Sequence, residues 1–323
     1  MKSLRWRLVA AGLVALLVLV EAIVRLAGLA DFPIYQRSDV FGYVPRSNQS
    51  GAFLGRNRWV FNDLGMGTER PWQPSQKADI LLVGNSIVMG GNPYDQQDKV
   101  TQLLQDRLGR SCPVWPVAAG GWSTINEMRF LQAHPDIVKA GDFFIWELMA
   151  GQMGGLQPWI DEALQPTQRP WWAAGYLARK ALIQRLGWAT SGDSRAVSTN
   201  MELHYAEFEH MLGRLTAAAG LRPAGLIFLY PDQAQLELAR AGREWIDDRQ
   251  RIEQLATRHG LLLLDVAQSP RWTSALYKDG VHPTVEGNRV LASLLADALA
   301  SAGVTALCEA GARAPRTEHR GGQ

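Results

Sequence analysis

Five short apolar runs, at 80–83, 114–117, 143–146, 226–230 and 261–266, recur along the chain with helical patterns between them. This alternation constrains the fold more than any other feature. Each run is too short for a core helix and shows no polar alternation, as expected of strands buried on both faces. The intervening stretches at 99–108, 124–133, 201–219 and 243–259 carry apolar residues at three-to-four spacing, and 285–302 closes the series as a last amphipathic helix. The pattern predicts an α/β fold, a doubly wound parallel five-stranded sheet flanked by helices and flavodoxin-like in plan. In such sheets ligands sit beyond the carboxyl ends of the strands, where the strand order reverses. Residues that directly follow strands are therefore the first candidates for chemistry.

The first thirty residues stand apart. Lys2, Arg5 and Arg7 precede an uncharged apolar run at 8–20, after which Glu21 and Arg25 interrupt at i,i+4 spacing. A basic segment followed by an apolar one is the pattern of an export signal or a signal anchor. The uncharged run alone is short for a spanning helix, which needs roughly 20 residues. Counting through Ala30 reaches that length, with Glu21 and Arg25 able to pair near an interface. Gly28-Leu29-Ala30 also offers a small-residue cleavage site, so 1–30 reads as a membrane anchor or a signal peptide. The leading cations place the N-terminus in the cytoplasm and the body outside it. In a bacterium that means an inner-membrane-anchored periplasmic domain, or a periplasmic or secreted one after cleavage. There Cys112 and Cys308 can pair, and two reduced buried thiols are the alternative.

The formal net charge is +2, and the cations of the leader account for it, which leaves a near-neutral body. With no basic run, the chain is not expected to bind nucleic acid. Two cysteines and no H-E-x-x-H pattern predict neither a metal site nor a cofactor. Residues 31–78 are polar, aromatic and Gly-containing without a sustained period, with a strand and turn expected at Trp59-Val60-Phe61-Asn62. They read as a preamble packing on a domain at 79–308. Residues 151–200, with Trp159, Trp171, Trp172 and Trp188, break the repeat after the third strand and read as a partly helical insertion, a candidate cap over the site. The polar segment 309–323 reads as a disordered tail.

Two pieces carry chemistry. The first strand runs into Gly84-Asn85-Ser86, which puts a hydroxyl on a turn between a buried strand and a helix, where a base can reach it. Taken alone, Ser86 reads better as a cap of the following helix. Ahead of the last helix stands Asp279-Gly280-Val281-His282-Pro283. A carboxylate three residues before an imidazole can hold Nδ1–H and leave Nε2 free to accept a proton from a serine.

Together these blocks resemble the SGNH/GDSL hydrolase superfamily over roughly 79–302. Gly84-Asn85-Ser86 stands where that family has GDS, with Asn85 replacing the usual Asp, and Asp279 and His282 match its D-x-x-H block. The resemblance implies Ser86 as nucleophile, His282 as general base and Asp279 as the residue orienting it. In Ala119-Gly120-Gly121-Trp122-Ser123-Thr124, Gly121 matches the glycine whose N–H joins the oxyanion hole, while Pro116 stands where an Asn is usual. The third block departs most. Relatives carry G-x-N-D after the third strand, and here Gly151 or Gln152 falls at the Asn position, with the Gln152 carboxamide as the available substitute. Ile145-Trp146-Glu147 is locally similar to a strand in SGNH-like proteins of bacterial exopolysaccharide O-acetylation. Trp122, beside the oxyanion glycine, is a candidate for stacking on a sugar. His134, His204, His210 and His259, in or beside helical stretches, read as structural.

The resemblance implies a serine ester hydrolase working through an acyl-serine intermediate on O-acetyl groups of envelope or exported carbohydrate. The same triad would serve a polysaccharide O-acetyltransferase fed by a membrane acyl-donor protein. A non-catalytic glycan-binding protein on the same scaffold is the third reading, supported by the missing third-block Asn.

Overall fold

The computed structural model describes residues 2–75, 78–109, 112–185, 201–246 and 249–310. A single helix, α1 (Lys2–Leu26), opens the chain and stands almost wholly exposed. Its stretch Leu4–Leu26 is long and apolar enough to cross a bilayer. Two antiparallel hairpins follow, β1 (Tyr35–Ser38) with β2 (Gly42–Pro45) and β3 (Gln49–Phe53) with β4 (Asn57–Phe61).

The five apolar runs form one parallel sheet: β5 (Ile80–Gly84), β6 (Val114–Ala118), β7 (Phe143–Leu148), β8 (Gly225–Leu229) and β9 (Leu262–Asp265). Its order is β6-β5-β7-β8-β9, so the reversal falls at β5. Every residue of β5 through β8 is buried, which is why those runs are continuously apolar rather than alternating. Pro116 lies within β6, paired opposite Leu82, and β6 is an edge strand where a missing N–H leaves no ladder bond unmade.

Helices α2 (Ser86–Met89), α3 (Val100–Leu108), α4 (Thr124–Ala133), α5 (Pro135–Ala140), α6 (Ala173–Arg185), α7 (Met201–Ala218), α8 (Gln233–Arg240), α9 (Arg249–Arg258), α10 (Val285–Ser301) and α11 (Val304–Ala310) complete the described chain. α3 packs against α10, and α4 and α5 pack against α7. The helix expected over 243–259 is shorter, because only α9 is helical there, and α8 precedes it unannounced. Asp232 caps α8 with Gln235 in a reciprocal capping box, just after Pro231.

Cys112, beside β6, and Cys308, in α11, are joined by a disulfide with Cα atoms 5.6 Å apart. Of the expected tail, 309–310 finish α11, and 311–323 lie outside the described residues. The expected insertion is partly helical through α6, and 186–200, with Trp188, also lie outside the described residues. Its described part leans on the hairpins rather than over the site. Arg37 pairs with Glu162 at 2.7 Å, the Tyr35 amide donates to Pro166 O, and Arg46 donates to Thr167 O.

Candidate active site

The turn after β5 is made by three side-chain sizes. A Cβ on Gly84 would lie 2.6 Å from Glu147 Oε2 and 2.6 Å from Val88 Cγ2, so only glycine lets the strand end pass. Asn85 caps α2, its Oδ1 accepting the Ile87 amide at 2.9 Å. Ser86 then occupies the first helical position, where an α-helix leaves the N–H without an intrahelical acceptor.

The Asp279–Pro283 loop is held from several sides. The Lys278 amide donates to His282 O at 2.8 Å, and Tyr277 bridges to Pro283. Tyr230 Oη donates to Val281 O at 2.8 Å, the Gln233 amide to Gly280 O at 2.8 Å, and Tyr94 Oη to Pro283 O. Gly280 has φ 85°, a conformation that favours glycine at the turn between the two polar residues. Tyr230, Trp272 and Tyr277 pack edge to face or tilted against one another beside the loop.

These constraints bring together residues far apart in sequence. His282 Nε2 lies 3.0 Å from Ser86 Oγ, and His282 Nδ1 lies 3.0 Å from Asp279 Oδ2 and 3.1 Å from Oδ1. An ionised carboxylate accepts only, so Nδ1 carries the hydrogen and Nε2 faces the hydroxyl with its lone pair. Asp279 Oδ1 also accepts the His282 and Val281 amides, at 2.8 and 3.2 Å. Partial burial raises the Asp279 carboxyl, but those amides and the imidazole outweigh it and leave the group below the usual carboxylate range.

Ser86, Asp279 and His282 open into a pocket of about 210 Å³, walled also by Pro33, Tyr35, Met89, Gly120 and the 90–94 loop, with Lys278. The candidate cap contributes none of its described residues to that wall. The preamble does so instead, through Pro33 and Tyr35. Burial pushes the Tyr35 phenol up to about 12, and burial with the Asp279 carboxylate does the same for Tyr94, so both stay neutral donors.

The expected oxyanion residues divide. Gly121 lies in the loop after β6 with φ 82°, and a Cβ there would meet Tyr43 Oη at 2.9 Å. Its neighbour Gly120 borders the pocket, but the Gly120 amide points to Met89 Sδ at 3.0 Å. Gln152 is not at the site. Its Oε1 accepts the Met149 amide at 3.0 Å, and the residue lines a separate cavity with Met153, Tyr205 and Ile252. Trp122 is buried, its Nε1 donating to Tyr43 O at 2.7 Å, so its ring is core and unavailable for stacking.

The sequence reading missed Glu147. It sits buried at the end of β7, accepts the Asn85 amide at 3.0 Å and Asn85 Nδ2 at 3.2 Å, and so ties the serine turn to the third strand. Burial pushes its carboxyl up to about 7, against those two bonds. A second buried carboxyl, Glu127, accepts Trp146 Nε1–H at 2.6 Å, and burial together with Glu147 raises it well above its ordinary range. Among the described residues no group of acidic, His or Cys side chains has the makings of a metal site.

No protein-family model matches the sequence, and no curated protein does. Solved structures do match. A carbohydrate acetylesterase family member from Sinorhizobium meliloti matches 69% of this chain and 98% of its own, at 15% identity and TM-score 0.42. Esterase EstA from Pseudoalteromonas matches 69% and 97%, at 10% identity and TM-score 0.40. A member of the lipolytic protein G-D-S-L family from Veillonella parvula matches 68% and 97%, at 12% identity and TM-score 0.38.

Proposed function

We propose that the protein is a serine esterase in which Ser86 is the nucleophile, His282 the general base and Asp279 the residue that orients it. The supporting observation is the hydrogen-bonded line from Ser86 Oγ through the imidazole to Asp279, with each contact at 3.0–3.1 Å. As Ser86 Oγ bonds to the ester carbonyl carbon, His282 Nε2 takes its proton and the carbonyl electron pair moves onto oxygen. Collapse expels the alkoxide, which leaves with the proton from the imidazolium. Water, deprotonated by the same nitrogen, then attacks acyl-Ser86 and releases the acid. The Ser86 and Gly121 amides are the backbone groups that serve the tetrahedral oxygen, and Asn92 is the pocket-lining carboxamide available to join them.

We place the body, residues 79–308 with the preamble 31–78, outside the cytoplasm and anchored by α1. The apolar helix and the Cys112–Cys308 disulfide support that placement. The substrate class proposed is a short O-acyl group on a carbohydrate of the envelope. The pocket is small, and it mixes the aromatic Tyr35 and Tyr94 with hydrogen-bonding Asn92 and Lys278, which suits a hydroxylated ring better than an alkyl chain.

The test is labelling of the full chain in detergent with a fluorophosphonate, beside Ser86→Ala and His282→Ala. Labelling of the wild type and its loss in both variants is the expected result. Labelling that survives Ser86→Ala overturns the assignment, and no labelling of a folded wild type favours a glycan binder without turnover. Partition of an acetyl group between water and a glycan acceptor then separates hydrolysis from transfer.

A further inference from the structure

The charged pair in the otherwise apolar α1 is engaged by the body. Glu21 Oε1 accepts the Ala173 amide at 2.9 Å and Oε2 the Ala174 amide at 2.8 Å, so a residue of α1 caps the N-terminus of α6. Arg25 pairs with Glu21 at 2.6 Å and donates to the carbonyls of Pro170 and Trp171, at 3.2 and 2.8 Å. Just beyond α1, Gly28 O accepts the Leu54 amide at 3.1 Å, and a Cβ on Gly28 would lie 2.6 Å from Gly55 N. Arg169 reaches back to the Ala30 and Phe32 carbonyls and to Asp31. The end of α1 is thus fixed to the 169–174 segment and to the tip of the β3–β4 hairpin.

Around this joint lies a collar of exposed apolar side chains. Trp171 is 89% exposed and Trp172 42%, with ring centroids 6.2 Å apart, and Leu54 at the hairpin tip is exposed beside Arg56. Large aromatics so exposed on a water-facing surface are uncommon, whereas Trp is enriched where a membrane meets water. We infer that Trp171, Trp172 and Leu54, gathered round the end of α1 by the Glu21–Arg25 joint, seat the body on the outer surface of the lipid bilayer. The inference rests on α1 being retained as the anchor, and it does not depend on the esterase chemistry.

The collar is continuous with the spanning helix, and that commits it to lipid rather than to a protein partner. Glu21 and Arg25 satisfy each other and the body's backbone at the level where α1 leaves the bilayer, so neither charge is left bare there. The body is then oriented and not loosely tethered. Pro33, on the pocket wall, follows Leu26 by seven residues, a reach of at most about 24 Å of extended chain. The pocket therefore works close to the membrane surface.

The test uses the full chain in vesicles of phosphatidylcholine and phosphatidylglycerol. The native cysteines are paired with each other, so single variants Leu54→Cys, Trp171→Cys and Arg243→Cys each take one nitroxide. The last is exposed and lies between α8 and α9, in the connection from β8 to β9. Relaxation by oxygen, which concentrates in lipid, is compared with relaxation by a water-soluble nickel chelate. The oxygen-to-chelate ratio at 54 and 171 is expected to exceed that at 243 several-fold, and Glu21→Ala is expected to lower the ratio at 171 while α1 stays inserted. Equal aqueous ratios at all three sites overturn the inference. So does spin–spin broadening between copies, which would mean that a second chain covers the collar. Recovery of a chain cleaved before residue 31 overturns it as well. Circular dichroism checks folding, and if Trp171→Cys does not fold, Leu54→Cys reads the same surface.

Discussion

Asn85→Asp tests whether Glu147 is the reason this chain carries Asn where the GDS pattern has Asp. Asn85 is 4% exposed and Glu147 0%, and the carboxamide donates to the carboxyl at 3.2 Å. The substitution puts a carboxylate oxygen where the donor was. Two unit charges at that separation repel by roughly 5 kcal/mol at an effective dielectric constant of about 20. Burial already holds the Glu147 carboxyl up at about 7, against 4.5 for an ordinary glutamate, and a second carboxylate lifts it further. The folded protein then keeps a proton that the unfolded chain gives up, so stability falls as pH rises from the unfolded to the folded value. In the wild type that loss is nearly complete a little above pH 7, and in the variant it continues to higher pH. At pH 5 the variant should be about 1 kcal/mol less stable than wild type, the value of one hydrogen bond. At pH 9 the difference should reach about 4–5 kcal/mol. At about 2 °C per kcal/mol for a domain of this size, the Tm gap widens from ~2 °C to ~8–10 °C. Thermal unfolding of the full chain in detergent at pH 5, 7 and 9 measures it. Adding Glu147→Gln to the variant should close most of the gap at pH 9. A gap that does not change with pH, or that survives Glu147→Gln, refutes the reasoning.

Three other outcomes are expected. Asp279→Asn keeps the shape of the loop but removes the acceptor that fixes the His282 tautomer, so fluorophosphonate labelling should slow by about 10²–10⁴-fold, read by timed in-gel fluorescence. The Cys112–Cys308 bond closes a loop spanning 196 residues in sequence, and replacing both by Ala should cost about 3–5 kcal/mol in chemical unfolding. Lys99 is 1% exposed with no hydrogen-bond partner for its Nζ, and burial lowers its ammonium to about 7. The folded state therefore binds fewer protons than the unfolded chain between about pH 7 and 10.5. Lys99→Met should stabilise the protein by on the order of 3–5 kcal/mol below pH 7, with the gain fading as pH approaches 10.

The sheet was legible because each central strand is buried on both faces, so burial and sequence carry the same pattern. The serine and the D-x-x-H loop were legible because their spacing to the strands is set by the backbone. What failed depends on side-chain direction, which periodicity does not encode. Gln152 has the right amide one turn from β7, yet it folds back on Met149. Trp122 follows Gly121 but points inward to Tyr43. Glu147, one residue past the apolar run, carried no period that marked it as interior, yet Asn85 pairs with it there. The α8 helix did have a signal, the Asp232–Gln235 capping box, hidden because only one residue of that helix, Leu236, is buried.

Neither Gly151 nor Gln152, the residues expected at the third-block Asn position, lines the pocket. At the end of β7 the Glu147 carboxyl is taken up by Asn85, and Met149, just past the strand, offers only a thioether, so neither aims a donor at the pocket. The Gly120 amide is engaged by Met89, and Gln152 faces elsewhere. The side-chain donors on the pocket wall are then Asn92, Lys278 and the two phenols, of which Tyr94 is committed to Pro283. If Asn92 meets the transition-state oxygen, Asn92→Ala should lower kcat by about 10²–10³ on any ester with KM nearly unchanged. Lys278, exposed and beside Tyr94 at 5.0 Å, is placed to attract charge at the pocket mouth. Lys278→Met should therefore raise KM for esters of anionic sugars and leave neutral ones alone. Steady-state kinetics on a neutral and an anionic acetylated sugar distinguish the two roles. An unchanged kcat in Asn92→Ala would mean that the backbone amides of Ser86 and Gly121 hold the oxyanion alone.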